Sequence, residues 1–115
     1  MRLEDLIAID LIFYDLEAKK WGFSIRVKEQ QFGPFVNLNE NIESIETLQI
    51  IDMKPLINGI ISLCCNDDPA KIVIKVLDLL IADQRISSLK IDYYTSISNS
   101  FPQYTDKINN YKLLQ

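Results

Sequence analysis

Apolar and polar residues alternate cleanly from Lys20 to Lys28. Trp21, Phe23, Ile25 and Val27 fall on one side of that stretch, and Ser24, Arg26 and Lys28 on the other, the period of two that a strand with one buried face requires. Upstream, residues 6 to 14 form an apolar run around a single acid, Asp10. On a helical wheel Glu4, Asp5, Asp10, Asp15 and Glu17 scatter around the circumference, which favours a buried strand over an amphipathic helix. The two strands can pair as a hairpin across Asp15 to Lys20, with helix followed by strand as the alternative.

The segment from Gln30 to Asn41 contains Gly33-Pro34 and three asparagines, a composition that reads as loop. Residues 42 to 51 fit either period. Ile42, Ile45 and Leu48 share a helical face, whereas Leu48-Gln49-Ile50-Ile51 also suits a strand. After them Asp52 stands as an N-cap, with Pro55 tolerated in the first turn and Met53, Leu56, Ile57, Ile60, Ile61 and Cys64 on one helical face. Asn58-Gly59 inside this run is elsewhere a hairpin signal, but the flanking period near 3.6 predicts a helix. Asp68 caps a second helix with Pro69 at its first position, running to about Gln84. Ile72, Val73, Val76, Leu77, Leu79 and Leu80 face inward, and Lys71, Lys75, Asp78, Ala82 and Arg85 face out. Leu89, Ile91 and Tyr93 alternate with Lys90, Asp92 and Tyr94 as a later strand, and Thr105-Asp106 opens a short C-terminal helix through Leu114. The expected fold is α+β: an antiparallel sheet of three to four strands, covered on one face by an αα-hairpin and the short C-terminal helix.

With 115 residues, the chain has room for one hydrophobic core, so residues 1–115 are expected to form a single domain. Glu4 and Asp5 stand where a secretory signal needs bases, and Asp10 interrupts the apolar run that follows, so no export signal is expected. The longest charge-free apolar stretch, from Pro55 to Cys65, reaches about half of the ~20 residues that span a bilayer. Cys64 and Cys65 are adjacent, a spacing that seldom reaches disulfide geometry. Such thiols read as small buried hydrophobes in a reducing, cytoplasmic setting.

The sequence has no histidine, and its glycines stand only at 22, 33 and 59. Histidine-based triads and histidine metal sites are therefore out of reach, as are a P-loop and a dinucleotide fingerprint. No catalytic residue, metal or cofactor is expected. Asp10 is the sharpest remaining candidate for acid/base work, since a central strand would desolvate it and raise its pKa. Against this, lone acids in strands are more often satisfied structurally. Asp67-Asp68 lacks the alternating ligands of a calcium loop, and capping accounts for one of the pair. Lys19, Lys20, Arg26 and Lys28 with Trp21 and Phe23 superficially suit single-stranded nucleic acid. Alternation, however, puts Trp21 and Phe23 on the face opposite Arg26 and Lys28, so no nucleic-acid partner is expected.

The formal net charge is −4, and its distribution is more informative than its size. Residues 1–18 carry one base and five acids, residues 19–28 four bases and no acid, and residues 29–53 five acids and no base. The last segment creates a negative field that no base within it cancels. It would steer a cationic protein toward Glu40, Glu43, Glu46 and Asp52, with Phe32 and Phe35 as apolar anchors. The expectation is a non-enzymatic protein-binding module. In size, acidity and lack of histidine the chain is similar to bacterial immunity proteins, which cover the active site of a cationic nuclease toxin. The likeness has no motif behind it, and it implies a toxin-type partner. The competing expectations are a small enzyme using Asp10 in a pocket and a subunit whose αα-hairpin packs on a copy of itself.

Overall fold

The computed structural model describes residues 1–16, 20–38, 52–82 and 92–114, with side chains placed for all of these except 11, 13–16, 20–23 and 34–38. The architecture is α+β. Strands β1 (Asp10–Leu16), β2 (Lys20–Val27) and β3 (Gln30–Leu38) form an antiparallel sheet in the order β1-β2-β3. Four helices follow among the described residues: α1 (Lys54–Leu63), α2 (Pro69–Ala82), α3 (Tyr93–Ser100) and α4 (Thr105–Leu113).

β1 and β2 pair as the expected hairpin, with Leu16 opposite Lys20 and Asp10 opposite Arg26. The strand begins later than the apolar run suggests. Leu3–Asp5 form a 3₁₀ turn, and Leu6 and Ile9 are buried before the strand starts, while Ile7 is 81% exposed. In β2, Ile25 and Val27 are buried and Arg26 is exposed, as alternation requires, and Lys28 is exposed in the turn that follows; Ser24, expected on the outer face, is instead buried. The orientations expected of Trp21 and Phe23 concern side chains outside those described.

The expected loop over 30–41 is corrected from Gln30 to Leu38, which is the third strand. Gly33-Pro34 is accommodated rather than excluded. The partners of β2 jump from Phe23↔Val36 to Ile25↔Phe32, so the pairing is irregular around 33–35. Gly33 there takes φ 115°, a conformation that favours glycine. Proline, which cannot donate to a ladder, is tolerated because β3 is an edge strand.

α1 forms as its period predicts, with Met53, Leu56, Ile57, Ile60 and Cys64 buried and Ile61 half-buried. The capping position is Met53 rather than Asp52, whose Oδ1 instead accepts a hydrogen bond from the Lys54 amide at 3.0 Å. α1 packs on β3 and on α2. Gly59 lies against the Phe32 ring, where an added Cβ would stand 2.6 Å from Cζ, so the missing side chain lets helix and edge strand approach. Asp68 Oδ1 accepts from the Ala70 amide at the start of α2, at 3.1 Å. Asp67 Oδ2 takes the Leu3 amide at 2.9 Å and pins the N-terminal turn to the α1–α2 connection.

Two further expectations are corrected. Tyr93 and Tyr94, assigned to a late strand, open α3, and residues 89–91 lie outside those described. Asp92 caps α3, accepting from the Thr95 amide at 3.1 Å and its hydroxyl at 2.7 Å. Although burial acts in the opposite direction, these bonds and the charge of Lys112 hold the Asp92 carboxyl below the usual range. The C-terminal helix is present, but α4 packs on α2 and α3 rather than over the sheet, through its buried residue Ile108. One core joins sheet and helices, from Ile25 and Val27 to Ile72, Val76, Leu80, Ile97 and Ile108. No helix among the described residues is long and apolar enough to cross a membrane.

Candidate functional site

The acidic segment enters the fold at the β2–β3 turn and leaves it at the start of α1. Glu29, at the first of these points, is exposed, and so is Asp52 at the second. Glu40, Glu43 and Glu46, with the ambiguous stretch 42–51, lie outside the described residues. Of the two proposed anchors, Phe32 is half-buried and its ring is committed to Gly59 and the core, so it is a packing residue of the α1–β3 contact. Phe35 lies in β3, and its side chain is outside those described.

Asp10 stands at the first position of β1, exposed, and accepts a hydrogen bond from Arg26 Nη2 at 3.1 Å. Cross-strand register places the two opposite each other, which answers the acid with a base and leaves it on the sheet surface. The desolvated catalytic carboxylate that the enzymatic alternative required is not what the fold makes of Asp10. The two thiols divide. Cys64 is buried, and burial followed by the charge of Asp67 pushes its pKa up. Cys65 is exposed, which corrects the expectation of a buried pair.

A second surface was not singled out in the sequence. α2 and α4 pack side by side and leave an open groove of about 580 Å³ between them. Leu3, Ala70, Ile74 and the Tyr111 ring line its apolar part, and Lys71, Lys75 and Lys107 its rim. Helical spacing produces the arrangement: 71, 75 and 78 follow one face of α2, and 107 and 111 lie one turn apart on α4.

The groove also contains Asp68 and Asp78, and both are engaged. Asp68 holds the Ala70 amide. Tyr111 donates its hydroxyl to Asp78 Oδ1 at 2.6 Å, and burial, then this bond, pushes the phenol above its ordinary range. Ion pairs occur at Arg2–Glu4 and Arg26–Asp10 among the described residues. None there involves Lys71, Lys75 or Lys107. The signal for this surface was the pair of i, i+4 spacings, Lys71/Lys75 and Lys107/Tyr111, which read as a solvated face until the helices are known to be neighbours.

No protein-family model matches the chain, and no characterised protein or solved structure matches it either. Its function is therefore read from its surfaces.

Proposed function

We propose that this chain is a non-enzymatic binding module that docks a basic protein partner through the acidic segment of residues 29–53. The observation that carries the reading is the unbroken run of five acids without a base, whose two described ends, Glu29 and Asp52, are both exposed. A local field of one sign raises the encounter rate with an opposite one and suppresses like-charged partners. A partner of the nuclease-toxin kind, cationic because it must hold a polyanion, has the complementary chemistry. Glu40, Glu43 and Glu46 carry the steering in this reading, with Asp52 at the segment's end and Phe35 as the apolar anchor; Phe32 serves the fold. The exposed, Arg26-paired Asp10 supports binding over catalysis.

Capture from a native extract tests this. The wild-type chain should retain a protein of high isoelectric point that elutes with salt and is absent from the eluate of a Glu40→Lys/Glu43→Lys/Glu46→Lys variant. Retention of the same protein by both chains would remove the acidic segment from the account.

A further inference from the structure

We infer that the groove between α2 and α4 is a second docking site, which takes an acidic, amphipathic segment of a protein partner. Its carboxylates would rest on Lys71, Lys75 and Lys107, and an apolar side chain on Ala70, Ile74 and the Tyr111 ring. The inference does not depend on the acidic segment, and the preferred partner charge is the opposite one.

Three observations carry it. First, the lysines carry no ion pair among the described residues. A helical lysine can pair with a carboxylate three or four residues away, and Asp78 stands three residues beyond the half-buried Lys75 on the same helix. That carboxylate is instead held by the Tyr111 hydroxyl at 2.6 Å, while Asp68, three residues before Lys71, is bonded to the Ala70 amide. Both acids keep their charge, but neither pairs with a lysine among the described residues, and the three lysines outnumber the two aspartates in the lining.

Second, the lysines stand on both helices that bound an apolar strip, two on α2 and one on α4. This geometry suits a ligand with acids on either side of a hydrophobic anchor, rather than a bare anion, which needs no apolar strip. Third, the groove is open. A free small molecule would keep much of its surface in water there, whereas good small-molecule sites bury most of the ligand. A peptide segment loses nothing by this, because its outer side belongs to the partner.

The site is anchored from two sides. Ile108 buries α4 against the core, and Leu3 is held in place through its amide bond to Asp67. Tyr111 has two tasks in this arrangement. Its ring is part of the apolar strip and its hydroxyl orients the Asp78 carboxylate, so Tyr111→Phe keeps the strip and frees that carboxylate to turn toward Lys75.

The test is selection of a random-sequence displayed peptide library on the full chain, with counter-selection on a Lys71→Glu/Lys75→Glu/Lys107→Glu variant. Circular dichroism checks that this variant folds, and the corresponding triple glutamine variant serves if it does not. Recovered peptides should place Asp or Glu around a large apolar residue. Their affinity should fall at least about tenfold on the triple variant, weaken with added salt, and fall several-fold on Tyr111→Phe. Recovered peptides without acid enrichment, or acidic peptides that bind the reversed variant equally well, would overturn the inference. So would single-stranded polyuridylate, or vesicles of anionic phospholipid, binding the wild-type groove as tightly as the peptides do, since either would make it a general polyanion patch.

Discussion

Two faces of this molecule carry bases, and the fold treats them differently. On the sheet, Arg26 of β2 and Asp10 of β1 are register partners, and their side chains meet at 3.1 Å. On the helical side, Lys71 and Lys75 of α2 stand beside Asp68 and Asp78, close in sequence, yet those acids bond to a backbone amide and a phenol instead. On the sheet Arg26 meets its acid directly, whereas Lys71, Lys75 and Lys107 carry no ion pair among the described residues. A carboxylate that accepts a hydrogen bond from a neutral amide or phenol keeps its charge, so the two faces differ in whether an acid and a base meet directly, not in whether acids are present.

That contrast can be broken at several points, beginning with the residue that holds the helical face together. Ile108 is the buried side chain of α4, and Ile108→Ala should cost about 2–5 kcal/mol of stability by the combined loss of transfer energy and packing. Urea unfolding checks this, and the groove should lose its far wall in the same variant. A smaller effect separates helix from edge strand. Gly59→Ala gains about 1 kcal/mol of helix propensity but forces a methyl into the Phe32 ring, an overpacking cost of about 1–3 kcal/mol. The variant should be less stable by up to about 2 kcal/mol, with part of the loss recovered when Phe32→Leu is added. Equal or higher stability of Gly59→Ala alone would show that α1 does not rest on β3 through this contact.

Tyr111→Phe sharpens the comparison directly, since it deletes the bond that orients Asp78 in the groove. The expected loss is about 0.5–1.5 kcal/mol, as for a typical hydrogen bond. It also has a pH signature. A phenol that releases its proton less readily in the folded chain contributes stability present in full below about pH 10, the ordinary tyrosine value, and lost as pH rises beyond it. Denaturation curves above about pH 10 should therefore fall more steeply for the wild type than for Tyr111→Phe. The smallest effect belongs to the sheet. Asp10→Ala removes an ion pair whose members are both largely solvent-exposed, so it should cost less than about 1 kcal/mol and less still at high salt.

How legible these regions were in the sequence differs as much as their charges do. α1 and α2 could be read because Met53, Leu56, Ile57, Ile60 and Cys64, then Ile72, Val73, Val76 and Leu80, repeat at the helical period and are buried as that repeat requires. Asp68-Pro69 marked the start of the second. β3 could not, because Gly33-Pro34 is loop chemistry unless the strand is known to be an edge one with an irregularity to hold it. α3 was hidden by competition between two signals. Alternation through Leu89, Ile91 and Tyr93 suggested a strand, while Asp92 and Thr95 carried a capping pair whose helix, rich in Ser, Thr and Asn, has little propensity of its own. Burial of Tyr93, Ser96 and Ile97 supplies what propensity does not. The groove was invisible for a different reason: Lys107 and Tyr111 become relevant to Lys71 and Lys75 only once α4 packs on α2 rather than on the sheet.

The measurement that bears most directly on the proposed function is the association rate of the partner captured through the acidic segment, followed at low and high salt. With wild-type protein the rate should be high at low salt and drop steeply as salt is added. With Glu40, Glu43 and Glu46 changed to lysine it should be slow and nearly independent of salt, the dissociation rate changing less. An association rate that the charge reversal leaves unaltered at low salt would contradict the account.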